Sequence, residues 1–120
     1  MVTEQDVRRL ALSLPATTEK PSYGTPGFRV KDHLFARIRD EGDALVLWVA
    51  DEGEKHGLIT SEPAKFFTTP HYDGHALVLV LLSAIDEDEL LELLTDSWRL
   101  RAPKKLLAQL VGEPGDEFSG

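Results

Sequence analysis

The stretch HYDGH places His71 and His75 around Tyr72, Asp73 and Gly74. Imidazole and carboxylate groups at this density could hold a metal ion or contact a polar ligand. Two histidines at this separation share a metal readily only on a helix, and Pro70 before and Gly74 within oppose a helix. Asp73–Gly74 is a turn dipeptide, and the apolar run Ala76–Leu82 follows it. The stretch therefore reads as a turn that launches a strand. No metal is expected there, and His71, Tyr72, Asp73 and His75 stand as candidates for a ligand contact.

Little else in the chain has the pattern of an active site. There is no cysteine, which removes a thiol nucleophile, a thiolate metal site and a disulfide framework. No serine lies in GxSxG, and neither HExxH nor GxxxxGK[ST] occurs. The carboxylates fall in acidic runs without Lys or Arg, DEGDALVLWVADEGE at 40–54 and DEDELLELLTD at 86–96, and suit a solvated surface. No catalytic residue and no cofactor is assigned from these features.

The basic residues form the remaining constellation. Residues 27–39 carry Arg29, Lys31, Arg37 and Arg39 against Asp32 alone, and residues 97–105 carry Arg99, Arg101, Lys104 and Lys105 with no acid. Arg29, Arg37 and Arg39 on one sheet face, beside Phe35, would make a surface able to contact phosphates and stack a base. The same residues could equally serve the abundant acids as ion-pair partners. Thirteen basic residues against twenty-one acidic ones give a net charge of -8, which opposes nucleic acid and anionic membranes at long range. DNA and a protein are both possible partners on this composition, and a membrane is not expected.

These residues must be positioned by the elements around them. At 120 residues the chain suffices for one domain, expected over 1–112 with a polar tail at 113–120. MVTEQDVRRL has no apolar signal core and no apolar run is long enough to cross a bilayer, so a cytoplasmic location is expected. Thr3 and Asp6 cap a first helix bearing Val7, Leu10, Ala11 and Leu14, and Pro15 ends it.

The turn-rich PSYGTPG then leads to a hairpin over 28–39. A three-residue loop at Lys31–Asp32–His33 would pair Val30 with Leu34, placing Phe28, Val30, Leu34, Ala36 and Ile38 on the buried face and Phe35 with the arginines. Ala44–Ala50, apolar on both faces, reads as a central strand. Helical pieces are expected at Glu52–Leu58 and at Ser61–Phe67, the latter capped by Ser61, and a strand at Ala76–Leu82. A helix from the Asp86 cap would turn Leu90, Leu91, Leu94 and Trp98 inward. Pro103 restarts a helix carrying Leu106, Leu107, Leu110 and Val111. Trp48 and Trp98 are expected in the core.

The segments ALSLP, SYGTPGFRV, LFARI, FFTTPHYDGHALVLV and LTDSWRLRAPKKL, in that order, resemble the MmcQ/YjbR family over about residues 5–108. The resemblance implies an α+β fold related to secretion chaperones: a single-layer antiparallel sheet packed by helices, in an order close to α-β-β-β-α-β-β-α. Four strands are placed directly, and the fifth would be Thr17–Ser22 or the Thr68–Tyr72 approach. The resemblance also implies DNA binding through a double-wing motif, whose first wing would be the Phe28–Arg39 hairpin. It carries no catalytic residues. The fold relationship offers a protein- or peptide-binding module as an alternative, and the 71–75 loop a small-ligand protein.

Overall fold

A computed structural model describes residues 1–109. Leu110, Val111 and the expected tail at 113–120 lie outside them. The first helix, α1 (Glu4–Leu12), starts on the Thr3–Asp6 capping box, each side chain accepting from the other residue's backbone N–H. Four strands follow: β1 (Thr17–Ser22), β2 (Thr25–Val30), β3 (His33–Ile38) and β4 (Ala44–Trp48). Helix α2 (Glu52–Ser61), the short β5 (Phe66–Phe67), β6 (Leu77–Leu81) and α3 (Glu87–Arg101) complete the described fold, with residues 104–109 again helical. One antiparallel sheet runs β1-β2-β3-β4-β6-β5. The class is the expected α+β, with Thr17–Ser22 as an additional strand ahead of α2.

Helices α1 and α3 cover one face of this sheet. Their Val7, Leu10, Leu90, Leu94 and Trp98 pack with Phe28, Val30, Ile38, Leu45 and Leu47 in the main core. Each fully buried aliphatic or aromatic side chain there contributes about 1.5–3 kcal/mol. The alternate residues of β4, Ala44 and Val46, join Leu79 in a second cluster on the opposite face, with Phe67, Tyr72, Leu77 and Leu81 packed against it. That is why β4 is apolar at every position: it lies between β3 and β6 with apolar neighbours on both sides.

The β2–β3 hairpin departs from the expected register. Its turn has two residues, Lys31 and Asp32, both at positive φ (48° and 71°), as the mirror-image hairpin turns require. Val30 pairs with His33 and Arg29 with Leu34, then the register shifts so that Phe28 pairs with Ala36. Phe35 is the extra residue of a bulge. Leu34 consequently joins Arg29, Arg37 and Arg39 on the outer face, while Phe35 turns into the core beside Ala36. Strict alternation, assumed in reading the sequence, cannot produce two adjacent inward residues.

Three further expectations are corrected. Helix α2 is continuous to Ser61, whose Oγ donates to Gly57 O inside the helix, and Phe66–Phe67 is a strand paired with β6. Leu91 is exposed on α3, and Ser97 takes a buried place instead. Trp48 is only half-buried, on the outer face.

Candidate functional site

The face that α1 and α3 leave uncovered contains a cleft of about 740 Å³. Its floor is the pleated surface itself: Leu34 from β3, Val46 and Trp48 from β4, Leu77 and Leu79 from β6. Arg37 rises from β3 and Arg39 from the residue just after it, and His71 and Tyr72 come in from the loop between β5 and β6. Tyr23 stands at the mouth, 89% exposed, in the two-residue β1–β2 turn.

The loop wall is fastened from below. Pro70–Tyr72 forms a single 3₁₀ turn, and Gly74 has a φ of 80°, a conformation that side chains resist. Lys55, from α2, is 1% exposed and donates its Nζ to the carbonyls of Tyr72 (2.6 Å) and His75 (3.0 Å). HYDGH therefore presents backbone oxygens inward to a lysine. The His71 and His75 side chains are exposed, and the His71 ring meets that of Tyr72 edge-on at 4.8 Å. Among the described residues no group of three or more His, Cys, Asp or Glu side chains gathers to hold a metal. Asp73 and His75 do not line the cleft.

The opening between β3 and β4 is held by α3. Ladder pairing of these strands stops at Ala36–Leu47. Beyond it, Ser97 Oγ accepts from Trp48 N (3.0 Å) and donates to Phe35 O (2.6 Å). The hydroxyl thus bridges an N–H and a C=O that the bulge has left without ladder partners. One turn further, Arg101 Nε donates to Leu34 O at 2.8 Å, and the guanidinium lies 4.6 Å over the Trp48 ring.

The sheet arginines differ in how they are satisfied. Arg39 forms a bidentate pair with Asp43 (2.7 and 2.9 Å) and lies over the Phe67 ring at 5.0 Å. The hydrogen bonds from Arg39 hold the Asp43 carboxyl below its usual range and push the guanidinium pKa up. Arg37 donates to Thr25 Oγ1 (3.1 Å) and to the Tyr72 hydroxyl (2.8 Å), both neutral. Because Asp43 is more acidic folded than unfolded, its contribution is complete above the ordinary carboxylate pKa and is lost as pH falls below about 4. Asp43→Asn is therefore expected to lower stability slightly near neutrality and to flatten its decline on acidification. Urea midpoints measured across that range check this.

The basic residues singled out from the sequence do not share one surface. Arg37 and Arg39 line the cleft and Arg101 braces its edge. Arg29 sits on the same sheet face and donates to Asp32 O at 3.4 Å, with Lys31 exposed in the turn. Phe35 is fully buried on the helix side, so it offers no ring for a base. Arg99, Lys104 and Lys105 are exposed at and beyond the end of α3. Lys55, Ser97 and Thr25 were missed. A lysine in an acidic helix and a serine beside a tryptophan carry no local mark of burial, although SW lies within a segment of family likeness.

The chain is similar to known proteins in sequence and in structure. The uncharacterized protein Rv2570 of Mycobacterium tuberculosis and the uncharacterized protein Mb2600 of Mycobacterium bovis are each 36% identical to the chain, covering 96% of it and 100% of their own length. The crystal structure of Deinococcus radiodurans protein DR2400, with family-model domain DUF419, superposes with a TM-score of 0.68 at 25% identity, over 83% of this chain and 78% of that one. The YjbR family model matches residues 12–100, which span all six strands, α2 and nearly all of α3. The chain belongs to the YjbR family.

Proposed function

We propose that the protein binds a small amphipathic ligand in the cleft on the helix-free face of the sheet. The observation that carries this reading is the cavity itself: about 740 Å³ with an apolar floor and polar groups gathered from β3 and one loop. Small-molecule sites are commonly concave, about 300–1,000 Å³ in volume, mostly apolar and oriented by few polar groups. The walls are preformed, since Lys55 ties down the loop and Ser97 and Arg101 fix the β3–β4 opening. Addition of a peptide strand to β1 is less favoured, because this edge carries Lys20 and Pro21.

Exposed Arg99, Lys104 and Lys105 support nucleic acid as a second reading. It is opposed by the net charge of -8 and by the use of Arg39 within the fold.

Thermal denaturation against a set of bicyclic aromatic fragments tests the first reading. A fragment present at about a hundred times its Kd stabilises the fold by about 2.7 kcal/mol. Leu34→Glu, which puts a carboxylate on the floor, is expected to abolish that stabilisation while leaving the fold intact. Equal stabilisation of the variant, or none of the parent, contradicts the reading.

A further inference from the structure

We infer that the ligand of this cleft is an aromatic carboxylate, and that Arg37 with the Tyr72 hydroxyl forms its anion subsite. The inference rests on the cleft being a small-ligand site and adds the ligand's chemistry. Arg37 is the cleft cation whose charge is least compensated. Its side chain is 13% exposed, and its hydrogen-bond partners among the described residues are the neutral Thr25 and Tyr72. Asp40 approaches only to 3.7 Å and is itself 78% exposed, so solvent screens it. A guanidinium has five N–H donors and no acceptor; the hydrogen bonds to Thr25 and Tyr72 occupy two of them. Enclosing such a charge without a hydrogen-bonded counter-ion is unfavourable, and an anion arriving in the cleft removes that cost.

The hydroxyls beside Arg37 sharpen this. Thr25 has no donor to spare: it accepts from Arg37 and donates its proton to Ser22 O at 3.0 Å. Tyr72 accepts from Arg37, and among the described residues its own O–H proton has no acceptor. One cation and one free O–H donor therefore converge at the same end of the cleft, which suits a carboxylate. A dianionic phosphate is disfavoured by Asp40 and Glu41, which also line the cavity. The rest of the ligand is flat and apolar because the floor is a sheet surface with Trp48, and Tyr23 stands at the mouth, 5.5 Å from the Arg37 guanidinium.

Two-dimensional amide NMR titration of the intact chain with naphthylacetate and with its neutral amide, naphthylacetamide, is the test. Both probes should shift Leu34, Val46 and Leu77, with naphthylacetate bound at least about tenfold tighter, the factor expected for a charged hydrogen bond. Arg37→Met should erase that preference and retain amide binding. Should Arg37→Met not fold, Tyr72→Phe keeps the ring and is expected to weaken naphthylacetate about threefold or more without affecting the amide. Equal affinity for the two probes in the cleft overturns the carboxylate inference and leaves the small-ligand reading standing. Preference for naphthylacetate that survives Arg37→Met, or that Tyr72→Phe leaves undiminished, also overturns it. Absence of cleft shifts with either probe removes both.

Discussion

Ser97→Ala is expected to lower folding stability by about 2–4 kcal/mol, an effect out of proportion to the loss of one oxygen atom. The hydroxyl is wholly buried and serves both the Trp48 N–H and the Phe35 C=O. In a continuous ladder those two groups would bond to each other. Here the bulge separates them, and without Ser97 both are left unsatisfied behind α3, each at about 1–3 kcal/mol. A shift in Tm of roughly 10 °C should accompany the loss. Amide exchange at Trp48 should accelerate together with exchange across the β3–β4 opening. A variant as stable as the parent would show that the strands close up and that the hydroxyl is no wedge.

Lys55→Met is the second large effect, expected at about 1–3 kcal/mol. Methionine retains the apolar stem but removes the donors to the carbonyls of Tyr72 and His75. Part of the loss is offset, because the fold no longer has to bury an ammonium without a carboxylate hydrogen-bonded to it. The damage should be local. Hydrogen exchange is expected to rise over residues 69–76 and to stay unchanged in α1 and α3, since the Lys55 ammonium bonds to the loop carbonyls and not to these helices. The same variant should weaken ligands in the cleft by loosening the wall that carries Tyr72. Uniform loss of protection across the chain would instead make Lys55 a general core residue.

Local chemistry made much of the fold legible. The Thr3–Asp6 cap, the apolar doubling of β4, the Asp86 cap of α3 and the turn at Asp73–Gly74 each depend on residues within a few positions of one another. The bulge was not legible because its cause is distant: Ser97 lies 62 residues from Phe35. A perfect alternation and a bulged strand produce the same apolar pattern at Ala36 and Ile38, and differ only at Leu34 and Phe35. The candidate site was legible by residue type and hidden by geometry. Arg37 and Tyr72 were both singled out, on separate grounds, and the fold joins them across 35 residues. Lys55 was invisible because a lysine flanked by glutamate and histidine has every local sign of facing water.

The most direct test of the central claim is a chemical-shift map of the intact protein, recorded in one series against aromatic fragments and in another against duplex DNA at low salt. The cleft reading predicts saturable fragment shifts at Leu34, Arg37, Val46, Trp48 and Leu77, with DNA producing at most weak shifts at Arg99, Lys104 and Lys105 that vanish as salt is raised. Saturable DNA binding that persists at physiological salt, with the cleft residues silent to every fragment, would contradict it.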